Sequence, residues 1–192
     1  MNDRTPDQEL ARRVAVSQDA AAFAEIVRRH EGPIRAFLRR LMTGDNAAAD
    51  DLAQETFLAA YQKMYTFKGN AKLGTWLHTI AYRQFIGLKR KHTWLQVMAE
   101  VPEDGQDGGQ AVQAEILARQ LMSQLNEEDR ACMTLSYAVG MSHADISAVV
   151  GQPVGSIKAR IHRAKIKLHK WLENHDHTLQ TPAPAQETQH AG

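Results

Sequence analysis

Residues 154–172 read VGSIKARIHRAKIKLHKWL, and the stretch makes sense as a helix with two unlike faces. At about 100° per residue, Ile161, Ala164 and Leu168 fall within roughly 40° of Ile157 and form an apolar stripe that must be buried. The same rotation carries Lys158, Ala159, His162 and Arg163 to the opposite side, with Arg160, Lys165 and Lys167 on the shoulders. No acidic residue interrupts the segment. One face packs while the other offers cations and hydrogen bonds, as a helix in a DNA major groove requires.

The residues just before it extend the pattern. Ser142 is placed to cap a short helix, HADISAVVG, in which Ile146, Val149 and Val150 repeat at helical spacing. Gly151 ends that helix, and Gln152-Pro153 keeps the chain extended before the next. A short helix, a glycine turn and a cationic second helix predict a helix-turn-helix over Ser142 to Lys170, its second helix reading bases. The competing reading is an ordinary basic helical hairpin whose charges form a solvated face.

The whole chain is not a nonspecific polycation: 192 residues carry a formal net charge of +1. Its charge is instead laid out in blocks. Between 72 and 91 every charged residue is positive (Lys72, Arg83, Lys89, Arg90, Lys91), whereas Asp45, Asp50, Asp51 and Glu55 dominate the preceding helix. Such patterning predicts two partners of opposite charge. The single Cys132 lies in the apolar run ACMTLSYAV, as a small core residue does, and disulfides within the chain are excluded. With no signal pattern and no bilayer-length apolar run, the expected compartment is the cytoplasm.

No alternating strand pattern and no repeat occurs, so the expected fold is all-α, two small helical domains joined by a flexible linker. The first spans 6–95, with helix breaks near Asp19, Gly32-Pro33, Thr43-Gly44-Asp45 and Phe67 to Gly74. An acidic, glycine-rich linker follows over 96–112. The second domain spans 113–173, and residues 174–192 have the composition of a disordered tail.

In the first domain, Ala49, Ala53, Phe57, Ala60 and Met64 repeat at three-to-four spacing and face a core. Asp50, Asp51, Gln54, Glu55, Leu58 and Gln62 lie largely elsewhere on that helix. They either dock onto a basic helical partner or merely complement the helix dipole. Beyond the Phe67–Gly74 loop, Thr75 is placed to cap a helix whose inner line is Leu77, Ile80, Ala81, Gln84 and Leu88. Trp76, His78, Tyr82 and Phe85 alternate with Arg83, Lys89, Arg90 and Lys91. Rings near cations beside a loop can hold unstacked bases, at about 1–3 kcal/mol per stack, or they can simply be core.

Taken together, ADDLAQETF, then F-x-G, then TWLHTIA and a basic helix end resemble region 2 of the extracytoplasmic-function (ECF) group of bacterial sigma-70-type sigma factors. LNEEDRACMTLSYAVGMSHADISAVVGQPVGSIKARIHRAKIKL resembles region 4 of the same group. The resemblance covers roughly 23–92 and 115–172, and both motifs in this order are far more specific than either alone. It implies a non-catalytic specificity subunit of RNA polymerase, with no cofactor and no metal. Region 2 would grip the beta-prime clamp helices of core polymerase through Asp50, Asp51, Gln54, Glu55 and Phe57. Phe67, Lys72, Trp76, Arg83 and Arg90 would hold the melted −10 strand. Region 4 would meet the beta flap and read promoter −35 DNA through Lys158, Ala159, Arg160, His162, Arg163, Lys165 and Lys167. The resemblance further implies an inhibitory anti-sigma factor, often membrane-bound. Three positions depart from the family pattern. Arg83 and Gly87 stand where asparagine and then aspartate or asparagine are usual, and His162 stands where an aromatic or hydrophobic residue is common.

Two other function classes are open to the sequence. A free-standing helix-turn-helix regulator would account for 142–172 but leave the acidic helix and aromatic loop without a role. A metal-dependent enzyme is suggested only by nine histidines, which form no HExxH or Cys-His pattern.

Overall fold

The computed structural model describes residues 5–96 and 110–179, and every regular element among them is helical. Four helices build the first module: α1 (Asp7–Ser17), α2 (Ala20–Met42), α3 (Asn46–Lys63) and α4 (Leu73–Gln96). Four more build the second: α5 (Gln110–Ser123), α6 (Glu127–Met133), α7 (His143–Val150) and α8 (Val154–Leu179). A 3₁₀ turn at Met64–Thr66 follows α3, and a π-helical turn at Thr134–Ala138 follows α6.

Local chemistry sets most of the boundaries. The α1–α2 break falls at Gln18 in the left-handed region, and Asp19 then caps α2 by accepting from the Ala22 amide at 3.0 Å. Thr43 and Gly44 both take positive φ, which turns the chain, and Asp45 caps α3 through the Ala48 amide at 2.9 Å. Gly32-Pro33, in contrast, does not break the chain, because α2 runs through it. Pro33 leaves the Arg29 carbonyl without its helical donor and costs about 3 kcal/mol or more. Ile26 before it and Ile34, Phe37, Leu38 and Leu41 after it are all fully buried along one face. Each such side chain contributes about 1.5–3 kcal/mol, which outweighs the proline, and Gly32 and Pro33 lie on the exposed side.

Two further boundaries differ from expectation. The helix after the aromatic loop starts at Leu73, with the Trp76 amide bonded to the Lys72 carbonyl at 3.2 Å. Thr75 is therefore a buried residue of its first turn rather than its cap. At the other end α8 runs on to Leu179, beyond the expected boundary at 173, because nothing in WLENHDHTL interrupts helical geometry. The expected flexible linker and the tail from 180 lie outside the described residues, while Gln96 and residues 110–112 belong to α4 and α5.

The two modules share one continuous hydrophobic cluster. α4 packs on α7, and α2 touches both α6 and the π-helical turn. Arg130 of α6 ties them polarly. Only 7% exposed, it donates to the carbonyls of Met122 at 2.9 Å and Leu125 at 2.7 Å within its own module. Its third bond, 2.8 Å to the Leu41 carbonyl, reaches the last turn of α2. A cation at the carbonyl end of a helix also meets the negative end of its dipole.

Candidate nucleic-acid interface

The helix-turn-helix forms as the punctuation predicts. The Ser142 hydroxyl accepts from the Asp145 amide at 3.2 Å, the Asp145 carboxylate accepts from the Ser142 amide at 3.3 Å, and the two make a capping box. Gly151 closes α7 at φ 74°, a conformation that strains any residue with a Cβ. On α8, Ile157, Ile161, Ala164 and Leu168 are buried, and Lys158, Ala159, His162, Arg163, Lys165 and Lys167 are exposed. Ile166 stands outward among them at 57% exposure.

Arg160 differs from its neighbours. Half-buried on the shoulder of α8, it donates to Asp129 at 2.9 Å and to the Gln152 side chain at 2.9 Å, and pairs with Glu128. Gln152 in turn donates to Glu128 at 3.2 Å, and its own carbonyl accepts from Ser147 at 2.6 Å. The guanidinium is thus a strut joining α6, the turn and α8, although the sequence placed it among the DNA-contacting residues. Burial alone would lower its pKa, but the two carboxylates reverse that and hold it further up. The acidic triplet Glu127-Glu128-Asp129 was the available signal, and nothing in its spacing to Arg160 reveals the contact. Lys165 is also engaged, its ammonium 5.0 Å from the centre of the exposed Tyr137 ring, a residue the sequence reading passed over.

In the first module α3 sorts its residues as its periodicity predicts. Ala49, Ala53, Ala60 and Met64 are buried, and Asp51, Gln54, Glu55, Leu58 and Gln62 are exposed. Leu58, at 60% exposure, is an apolar centre within that polar face. Phe57 is only 8% exposed and packs in the core, so it supports the face from beneath. Asp50 is not free: Arg39 grips it with two bonds of 3.0 and 2.8 Å, and Arg35 lies 3.5 Å away. The Arg39 hydrogen bonds hold its carboxyl below the usual range. Any basic partner must compete with α2 for this carboxylate.

The aromatic loop is bracketed by Phe67 and Trp76, whose half-buried rings touch with centroids 5.5 Å apart. Trp76, Arg83 and Arg90 are seven residues apart, two helical turns each, and so follow one side of α4. Lys72, Arg83 and Arg90 are exposed, and so is Gly87 between the two arginines, with open space where a Cβ would sit. His78, Tyr82 and Phe85 are core residues instead. Burial pushes the Tyr82 phenol up to about 12, and Glu128 of the other module reinforces the shift. Tyr65, 74% exposed just before the loop, carries no sequence signal beyond being aromatic. Cys132 is fully buried, and burial raises its thiol to about 11, which suits packing rather than reactivity.

Residues 26–95 match the Sigma-70 region 2 family and residues 116–168 the Sigma-70, region 4 family. The RNA polymerase sigma-H factor of Pseudomonas aeruginosa is 30% identical over 183 residues, covering 87% of this chain and 94% of that protein. The ECF RNA polymerase sigma factor SigW of Bacillus subtilis is 29% identical, covering 81% of this chain and 91% of its own length. Among solved structures, CnrH in complex with the cytosolic domain of CnrY is similar at a TM-score of 0.68 and 27% identity, over 88% of this chain and 97% of CnrH. The sigma factor RpoE of Bartonella quintana, in complex with the anti-sigma factor NepR, is similar at 0.65 and 26% identity, over 79% and 96%. With matched regions in this order and separate faces for an acidic helix, an aromatic loop and a cationic helix, the chain belongs to the ECF subfamily of the sigma-70 family.

Proposed function

We infer that this chain, a sigma factor of that subfamily, joins core RNA polymerase through the exposed α3 face and directs initiation at promoters it reads with both modules. It breaks no bond itself; the polymerase supplies the chemistry, and both act in the cytoplasm, where the chromosome lies. Asp51, Gln54, Glu55 and Leu58 form the docking face for the beta-prime clamp helices, with Asp50 available once Arg39 yields. Lys158, Ala159, His162 and Arg163 read the −35 element, and region 4 meets the beta flap. Phe67, Lys72, Trp76, Arg83 and Arg90 hold the −10 strand after melting.

The observation that carries this reading is the division of α8. One line of side chains is sealed in the core while Lys158, His162 and Arg163 stand exposed on the other side of a helix-turn-helix. Melting costs about 1.4 kcal/mol per stacked step, which strand capture and attachment to polymerase offset together. His162 brings an imidazole where an apolar contact is usual, so the −35 preference of this chain differs from that of relatives with an aromatic there. An anti-sigma factor, as NepR is in the complex with RpoE, is the expected inhibitor. Purified chain added to core polymerase on a genomic fragment library should give discrete run-off transcripts. Random or absent initiation from inhibitor-free protein would refute the reading.

A further inference from the structure

The ammonium of Lys165 rests 5.0 Å from the centre of the Tyr137 ring, although both side chains are exposed. At 57% exposure the ring adds little to the core. It stands on the π-helical turn Thr134–Ala138, where the Val139 amide reaches back five residues to the Thr134 carbonyl at 3.1 Å. The Thr134 hydroxyl of the same turn is buried without a hydrogen-bond partner. Turns of this kind are rare and cluster at functional sites. This one packs on α6 and α7, and Thr134 and Leu135 are buried, so the ring is carried on firmly held backbone. Lys165 lies seven residues, two helical turns, from Lys158, and the two follow one edge of α8, between the buried stripe and His162. Among the described residues the ion pairs of α8 are those of Arg160 with Glu128 and Asp129 and of His169 with Glu173, so the Lys165 charge is not neutralised.

A lysine on an open surface sweeps through many rotamers, and binding an anion must first fix them. A ring face attracts the ammonium without supplying an acceptor oxygen, which leaves its N–H donors for other acceptors. The cation is thus held in advance at the rim of the face that carries Ala159, His162 and Arg163. A helix seated in a major groove meets the phosphate wall at its rim and the base edges at its centre. We propose that Tyr137 is a positioning residue for promoter binding: its ring holds the Lys165 ammonium where it meets a DNA backbone phosphate beside the −35 bases. This rests on α8 reading the −35 element, and adds to that reading a residue that precedes the helix-turn-helix.

Anisotropy titrations of the full chain test this, at several salt concentrations, on a duplex carrying the −35 element of a promoter recovered by run-off transcription. Tyr137→Leu should weaken binding about threefold, while Tyr137→Phe, which keeps the ring face, should bind as the native chain does. Lys165→Gln should reduce the slope of log affinity against log salt by about 0.9, the signature of one lost phosphate contact. In the Lys165→Gln background Tyr137→Leu should have no further effect, because the ring acts through the ammonium. The proposal is overturned if Tyr137→Leu binds natively, if Tyr137→Phe is as weak as Tyr137→Leu, if the losses at 137 and 165 add, or if Lys165→Gln keeps the native slope. Arg163→Ala separates the two levels. A loss there with none in Tyr137→Leu overturns the positioning role alone, and no loss in either overturns the reading of α8 as well.

Discussion

Arg160 and Arg163 lie within one turn of α8, yet the contacts around them assign different tasks. Arg163 is exposed and has no hydrogen bond or ion pair among the described residues, so Arg163→Ala should weaken a −35 duplex by about 1–3 kcal/mol and leave the melting temperature alone. Arg160→Ala should lower both, costing about 1–3 kcal/mol of stability as Glu128 and Asp129 lose their common partner. Paired melting curves and duplex titrations check this; a stable Arg160→Ala protein would show that the strut is dispensable. His78 makes a second prediction. Burial lowers its pKa below the ordinary imidazole value, with the Gly74 carbonyl at 2.7 Å opposing part of that shift. The unfolded chain therefore takes up this proton first as the pH falls. Its contribution to stability is complete above about pH 6.5 and is lost progressively below it, until the folded form also protonates. Urea midpoints followed from pH 7.5 to 5 should fall in the native chain and fall less in His78→Gln. Parallel slopes would locate the acid sensitivity elsewhere, and not at Asp7, whose carboxyl Arg29 and His30 hold down against the effect of burial, so that its contribution is lost only at more acid pH than this range.

At the level of whole helices, α4 and α7 illustrate opposite relations between sequence and use. α7 has eight residues and owes its definition to its ends. Ser142→Ala removes the capping box and should cost about 1 kcal/mol, visible as faster amide exchange in α7 and weaker duplex binding. α4 instead carries a glycine that packing does not require, since a Cβ at Gly87 would meet nothing within 4 Å. Gly87→Ala should stabilise the protein by about 0.5–1 kcal/mol. If a DNA strand passes between Arg83 and Arg90, the same change will slow open-complex formation on promoter DNA. A stabilised variant with unaltered promoter opening would remove Gly87 from the strand's path. These helices were readable because caps, turn glycines and apolar periods act between residues a few positions apart. The break expected at Gly32-Pro33 does not form for a complementary reason: a local penalty loses to side chains buried on both sides of it.

For the molecule as a whole, the decisive feature is that two modules with separate external tasks share a core. Arg130 secures that junction from one side only, through a single bond to the Leu41 carbonyl. Arg130→Met should leave each module helical yet increase the radius of gyration measured by small-angle scattering, since the polar tie to α2 is lost. An unchanged radius would show that apolar contacts between α4 and α7 suffice. The all-helical class, the order of the modules, the exposed cationic face of α8 and the acidic face of α3 could all be taken from the chain before folding. Each depends on a repeat or a punctuation mark that a few consecutive residues carry complete. The grip of Arg39 on Asp50, the strut at Arg160 and the tie from Arg130 could not. Each joins residues from different helices, and which helix faces meet is settled by the packing of the entire core, to which no local spacing is a guide.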